Sequence, residues 1–385
     1  MFDNTLKKNV LMVVHSYYLD DTRVRREAEA LVSSGYSVDV ICLNKGGEPK
    51  LETSKSVNIH RCSIGRSKNR GKFNYIKEYI EFFLLSFIKS TALACKKKYA
   101  VFFAHNMPNF LVFSGLMVKL RGGLLVLDMH DSMPELYQDM FSLKDGPLLK
   151  LLKFEERLSV KLADKCMTAN IPIANILSER NRCDFFVVHN TPDLTVLRVC
   201  EKIKNKRFKL FHHGNIHQRY GLDRVLPTIK SLNSNGFIYE LEVHGRGPWY
   251  EQVKSLAKEL TVQEYCVFNP GFQPQDIGGY LAGADVGLVL NHQNDLTDLL
   301  LPVKMLEYIA CKIPVICPRS KAIEAYFDDK SVYYFDNIKE LEQLIIDVSS
   351  NGTEAKSIAD NAYNVYKKIA WQKEKEKFLE FVEKI

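Results

Sequence analysis

The sequence predicts an α/β chain of two doubly wound domains facing a cleft, and three observations carry that prediction. Short apolar strand segments alternate with amphipathic helices. The alternation runs once, crosses a polar stretch and starts again. The chain has 385 residues, more than one hydrophobic core normally supports. Continuous apolar strands set between helices imply parallel sheets covered on both faces.

The first half opens with NVLMVV as a strand, DDTRVRREAEALVSSG as a helix ending at Gly35, and YSVDVICL as a strand, which together make a βαβ unit. Further strands are expected at YAVFFAH, LLVLDMH, KCMTA and FFVVHN, with NFLVFSGLMVKL and LLKLLKFEERLSVKLA as helices between them. The second half repeats the scheme. RFKLFHHG, YELEVHGRG, CVFNPGF, DVGLVL and SVYYF read as strands; GLDRVLPTIKSLNSNG, WYEQVKSLAKEL and DIGGYLAGA read as helices. LPVKMLEYIACKIPVI reads as a helix running into a strand. The domains are therefore expected at 1–190 and 207–370, joined by the polar stretch TPDLTVLRVCEKIKNK at 191–206. A helical tail follows, with a break near Trp371.

Composition narrows the class. With 46% hydrophobic and 26% charged residues the chain reads as globular. No apolar run approaches the ~18–20 residues of a membrane span, and MFDNTLKKNVLMVV runs straight into a strand without the pattern of a signal peptide. Nine cysteines without a C-x-x-C pair fit free thiols in a reducing cytoplasm. The net charge is +7, and between Arg61 and Lys98 ten Lys or Arg stand against Glu78 and Glu81, a local +8. Because YIKEYIEFFLLSFI lies within that stretch, region 61–98 is expected either to touch an anionic membrane surface or to pack on a sheet with solvated lysines at its ends. A nucleic-acid partner is not expected: the charge is one patch beside apolar residues, and no reader motif accompanies it.

In open α/β sheets ligands bind beyond the carboxyl ends of the strands. There the first half places His15 and Asp20, His105 and Asn106, and His130 and Asp131. A strand-end histidine has two readings, a site residue or a satisfied structural one. The second half places Gly214 and Asn215, Gly245-Arg246-Gly247, Gly271-Phe272, and Asn291-His292. In LPVKMLEYIACKIPVI, Lys304 and Glu307 are three residues apart and share a helix face. Lys304 sits in the first turn, where free N–H groups and the helix dipole already favour an anion. A cation there does nothing for the helix, which points to a ligand phosphate.

Seven stretches in order resemble the motifs of bacterial family 4 glycosyltransferases: LDDTRVRREAEALVSSGYSVDVICL, HNMPN, DMHDSMPEL, VVHNTPDL, FHHGNIHQRYGLDRVL, FNPGFQPQDIGGYLAGADVGLVL and LPVKMLEYIACKIPVI. The last is similar to a P-x-K-x-x-E-Y variant of the family's donor-site helix. The resemblance implies the GT-B fold, two Rossmann-like domains with the final helix, about 371–385, crossing back to the first. It implies retaining transfer from a nucleotide-sugar, UDP- or GDP-linked, with no metal and no other cofactor. The donor is held by the C-terminal domain and a glycan or lipid-linked acceptor enters from the N-terminal side.

Residue by residue, the resemblance assigns Glu307 to the ribose, since a carboxylate accepts bidentately from a diol, and Lys304 to the diphosphate. Asn215 and Tyr220 stand where an arginine and a lysine are usual, so the neighbouring Arg219 is the expected phosphate contact. His130 is expected to donate to the transferred sugar near the reacting centre. Gly214, Asn215, Gly245, Gly247, Phe272, Gln273, Leu301 and Pro302 are expected around the donor, and Asp20, His105 and Asp131 on the acceptor side. No enzymic nucleophile stands out, which agrees with front-face transfer but leaves double displacement open. Two departures are plain: Leu299 replaces the first glutamate of the donor motif, and Lys312 replaces a glycine after the helix. The implied role is cell-surface polysaccharide synthesis (capsule, O-antigen or exopolysaccharide), in the cytoplasm and peripheral on the inner membrane. A nucleotide-sugar 2-epimerase and a non-catalytic nucleotide-sugar binding subunit remain alternatives. A nicotinamide dehydrogenase is weaker, because no G-x-G-x-x-G follows the first strand.

Overall fold

A computed structural model describes residues 8–66, 72–141, 146–236, 239–273 and 275–385, the side chains of 72 and 73 excepted. Residues 67–71 of the basic stretch 61–98 lie outside the described residues. The chain forms two compact units: Met1–His189 with Glu374–Ile385, and Asn190–Lys373.

The first unit holds strands β1 (Asn9–Val14), β2 (Ser37–Cys42), β3 (Leu51–Ser54), β4 (Val57–Arg61), β5 (Val101–His105), β6 (Leu124–Met129), β7 (Lys165–Thr168) and β8 (Phe185–Val187). Its helices are α1 (Thr22–Ser33), α2 (Lys72–Lys96), α3 (Leu116–Leu120), α4 (Met133–Phe141), α5 (Pro147–Leu162) and α6 (Ile171–Asn181). The sheet order is β3-β4-β2-β1-β5-β6-β7-β8, parallel except for the β3–β4 hairpin. β1 is central and buried on both faces, hence its unbroken apolar run. The hairpin is not expected from the sequence. It turns at Lys55 and Ser56, both at positive φ (46° and 63°), a geometry usually marked by Asn-Gly rather than Lys-Ser. The stretch NFLVFSGLMVKL, expected as one helix, starts instead as a 3-10 helix (Asn109–Gly115) before α3. Gly115 lies so close to Phe102 and Leu125 that a Cβ there would come within 2.5–2.7 Å of them, and the tighter turn seats the segment on the sheet.

The second unit holds β9 (Phe208–Asn215), β10 (Tyr239–Arg246), β11 (Cys266–Asn269), β12 (Val286–Leu288), β13 (Val315–Pro318) and β14 (Tyr333–Phe335). They lie in the order β11-β10-β9-β12-β13-β14, all parallel. Its helices are α7 (Leu194–Leu197), α8 (Leu222–Ser234), α9 (Tyr250–Glu259), α10 (Ile277–Leu281), α11 (Val303–Ala310), α12 (Lys321–Glu324), α13 (Ile338–Ser350) and α14 (Gly352–Tyr366); α15 (Trp371–Lys384) follows. One core joins the sheet to α8, α9 and α13, the other joins it to α10, α11 and α14. The expected linker 191–206 packs on this unit. Leu197 is buried in the second core, the Ile203 N–H donates to the Ala282 carbonyl (2.7 Å), and Asn205 donates to the Gly283 carbonyl (2.6 Å). Its polar composition conceals those few anchoring contacts.

From Glu374 onward the tail belongs to the first unit. Phe378 packs near Phe103 (5.9 Å between ring centroids), Phe381 stacks on Phe186 (4.5 Å), and Glu374 pairs with His189 (3.1 Å).

Candidate functional site

In the second unit the candidate donor residues gather at the carboxyl ends of β9, β10 and β11. His213, Gly214 and Asn215, His244, Gly245 and Arg246, and Gly271, Phe272 and Gln273 line a cavity of ≈ 370 Å³. Side chains at Gly245 and Gly247 would collide with backbone, their Cβ atoms falling 2.0 Å from the Gly214 oxygen and 2.1 Å from the Ile216 oxygen. These glycines therefore let three strand ends close around the recess.

Helix α11 delivers Lys304 and Glu307 to the same strand end. Pro302, extended at φ −69°, starts the helix, and Leu301 packs on the core beneath it. Met305, Leu306, Tyr308 and Ile309 are buried. Tyr308 lies where a Cβ on Gly287 of β12 would come within 2.3 Å of its ring, and its hydroxyl accepts from the His213 N–H (3.3 Å). That anchorage turns the polar face to β9: Lys304 Nζ is 3.3 Å from His212 Nε2, and Glu307 is 3.2 Å from His213 Nε2. Lys304 Cε would lie 3.9 Å from a Cβ on Gly214.

The electrostatics of this strand end would suit an anion. Burial pushes the Lys304 ammonium down to about 7, with Glu307 opposing. Burial, then Lys304, holds His212 and His213 well below the usual imidazole range, so both are neutral near pH 7. A diphosphate placed here restores the Lys304 charge. Its affinity should therefore fall as pH rises above about 7, by about tenfold per unit beyond pH 8. Titration calorimetry with UDP between pH 7 and 9 should show that fall together with proton uptake, and Lys304→Met should flatten both.

Arg219 and Tyr220 lie on one 3-10 turn, Gln218–Tyr220. Tyr220 presents its ring to Lys304, 4.9 Å from Nζ to the centroid, while the Arg219 guanidinium rests on His217, with Nε 3.3 Å from Nδ1. Leu299 is buried and fills space where a carboxylate was expected. Asp298 accepts from the Lys321 N–H (2.8 Å), which starts α12. Lys312 has φ 55° and closes α11, with Ile313 N–H donating to the Tyr308 carbonyl (3.0 Å) and Lys312 N–H to the Ile309 carbonyl (2.9 Å). Its ammonium pairs with Asp360 (2.7 Å), which helps hold a conformation glycine would adopt freely. His212, His213 and His244 were not singled out as site residues from the sequence, and Arg246 was noted only as part of Gly245-Arg246-Gly247. The paired histidine in FHHG and the arginine in GRG were the signals available.

In the first unit, His105 and His130 share the carboxylate of Asp128. Asp128 Oδ2 lies 3.0 Å from His105 Nδ1 and 2.7 Å from His130 Nε2. Arg23 grips both oxygens (3.1 and 2.9 Å), donates to the Val188 carbonyl (2.8 Å), and pairs with Glu27 (3.2 Å). Burial would raise Asp128, but Arg23, then the two histidines, holds its carboxyl well below the usual range. Burial pushes Glu27 up to about 7 against Arg23. An ionised Asp128 only accepts, so His130 carries its proton on Nε2 and presents Nδ1 as an acceptor when neutral. A neutral His130 so placed turns an acceptor, not a donor, away from Asp128. The ring atoms of His105 and His130 and an Asp128 oxygen lie within 4.8 Å of one another, close enough to share a cation, yet Asp128 is already saturated by four donors.

Asn106 completes this strand end. It accepts from the His130 N–H (2.7 Å) and donates to the Asp131 carbonyl (2.8 Å). Asp20 is not part of that network; it makes an exposed pair with Lys45 (2.6 Å).

Residues 196–365 match the family model described as glycosyl transferases group 1. Solved structures with the same fold include the sucrose-phosphate synthase of Thermosynechococcus elongatus, at 13% identity and TM-score 0.81, covering 98% of this chain and 99% of that one. A glycosyltransferase from Rickettsia africae follows at 13% and 0.72, covering 98% of each. Anabaena Alr3699/HepE in complex with UDP-glucose matches at 12% and 0.71, covering 98% and 100%. No curated protein matches the chain in sequence. The fold is that of the GT-B glycosyltransferases, and within the second unit the stretch 196–365 is similar to the glycosyl transferases group 1 model.

Proposed function

We propose that the protein is a retaining family 4 glycosyltransferase that moves a sugar from a UDP- or GDP-linked donor to a glycan or lipid-linked acceptor in cell-surface polysaccharide synthesis. The observation that carries this reading is the convergence of Lys304 and Glu307 on the His212–Gly214 strand end, beside the cavity closed by Gly245 and Phe272. Glu307 offers its carboxylate to the ribose diol, while Phe272 and Gln273 flank the base. As the bond to phosphate breaks, negative charge grows on the leaving diphosphate, and Lys304 with the free N–H groups of the α11 N-terminus opposes it. Arg219 adds a second cation. The leaving phosphate takes the acceptor proton, and His130, held by Asp128, contacts the transferred sugar.

The Anabaena structures contain UDP and UDP-glucose, which favours a uridine donor here. A thermal-shift panel of UDP-, GDP-, ADP- and CMP-sugars tests the reading. A ligand at a hundred times its dissociation constant stabilises by about 2.7 kcal/mol, and Glu307→Ala should abolish the shift. No shift with any nucleotide-sugar would sink the proposal. A Glu307-dependent shift without turnover on any acceptor would favour a binding subunit.

A further inference from the structure

We propose that the first unit docks on the surface of an anionic lipid bilayer through helix α5, assisted by the exposed stripe of α2. The inference deepens the reading above by giving a lipid-linked acceptor a surface from which to be reached. On α5, Leu148, Leu151, Phe154 and Leu158 remain 42–59% exposed. Steps of three, three and four residues place them on one stripe, while Leu149, Glu156, Ser159 and Val160 face the unit's interior. The exposed charges of α5 are Lys150, Arg157 and Lys161. At about 100° per residue they fall along one edge of the apolar stripe.

The helix's two acids are withdrawn from that surface. Glu155 accepts from Asn109 (3.1 Å) and Ser159 (2.9 Å), and Glu156 is buried against Arg180 (3.2 Å) and Asn181 (2.9 Å). Solvent therefore meets a helix that is apolar on one strip and only cationic beside it. Behind the cationic edge lies a recess of ≈ 500 Å³ lined by Arg157, Lys161, Arg180 and Arg182, among others. Arg180 is neutralised by Glu135 and Glu156, whereas Arg157, Lys161 and Arg182 have no acidic partner among the described residues. Helix α2 adds a second stripe, Ile76, Ile80, Leu84 and Ile88, in steps of four and 45–66% exposed. Both helices pack against the 3-10 helix Asn109–Gly115 of this unit.

Apolar side chains with cations along their edge match the two chemistries a bilayer surface offers together, acyl chains and headgroup phosphates. Among the described residues no helix is long and apolar enough to cross a membrane, so the contact would lie in the interface plane.

Flotation of the full chain with vesicles of phosphatidylcholine, alone or with added phosphatidylglycerol, tests the proposal. Wild type should bind the anionic vesicles at least about tenfold more tightly and lose that preference in high salt. Lys150→Gln/Arg157→Gln/Lys161→Gln should weaken anionic binding by roughly a hundredfold, at about fivefold per cation. Leu151→Ser/Phe154→Ser should weaken it more than about tenfold. Unchanged binding by either variant overturns the proposal. So does displacement by millimolar glycerol phosphate, which would mark a soluble-phosphate site. Variants that lose self-association in light scattering but keep vesicle binding would instead make the stripe a contact between copies, and that too overturns it. UDP thermal shifts are measured in parallel: vesicle binding without any nucleotide shift would sink the transferase reading while leaving this one standing.

Discussion

Lys304→Met is expected to lower turnover by about two to three orders of magnitude, the cost of removing one preorganised charge from a developing oxyanion. The donor's resting phosphates already carry charge, so some loss also appears as weaker binding. On the proposed reading the excess on turnover arises because bond cleavage adds negative charge at the oxygen nearest the cation. Three features of the structure tie the effect to this lysine. It projects from the first turn of α11, its ammonium lies 3.3 Å from His212, and the Tyr220 ring faces it at 4.9 Å. Neither aromatic neighbour supplies a compensating charge, and burial has already pulled the amine down to about 7. Methionine keeps the packing of the aliphatic stem, so thermal stability should be unchanged or slightly higher. Steady-state kinetics with the donor identified by thermal shift check the result; a turnover within about threefold of wild type would remove Lys304 from the chemistry. On the proposed reading, in which Glu307 holds the ribose, Glu307→Gln should act differently, raising KM more than it lowers kcat, because such contacts persist from ground state to transition state.

Arg23→Met is expected to destabilise the first unit by about 3–5 kcal/mol, the usual cost of leaving a buried partner charge uncompensated. Asp128 is buried and would lose two of its four donors, and Glu27 would lose the guanidinium 3.2 Å away. Hydrogen exchange at the amides of β1 and β6, read against those of β9 and β10, checks the size of the loss and its confinement to one unit. Equal protection of β1 and β6 in variant and wild type would show the cluster to be energetically idle. The double variant Arg23→Met/Asp128→Leu should recover part of the loss, since an apolar pair needs no compensation. It should not recover the orientation of His130, and activity would stay low.

The alternation of strands and helices was legible because parallel sheets buried on both faces write themselves as apolar runs. The polar face of α11 was legible for the opposite reason: Lys304 and Glu307 break an otherwise apolar helix. The β3–β4 hairpin escaped notice because Lys55 and Ser56 adopt a turn geometry that their side chains do not advertise. Arg23 and Glu27 stand among other charged residues on α1, and only the sheet opposite them shows that they point inward. α5 misleads in the reverse sense, since several of its leucines and Phe154 suggest burial yet lie exposed. Lys304 and His212 are 92 residues apart, and no local pattern announces such a meeting.

The return of the tail to the first unit bears on how the chain matures during synthesis. Phe378 packs near Phe103 and Phe381 on Phe186, so these rings complete a core whose other walls are made 275 and 195 residues earlier. Residues 190–373 hold everything their own core needs and can fold as they emerge, whereas the earlier-made half must wait for the last turns of α15. The usual order is thus inverted: the part translated first is finished last. During that wait the strand edges and apolar faces of the first half are exposed to chaperones. A released chain ending at Lys373 should therefore show a protease-resistant second unit and a protease-sensitive first one.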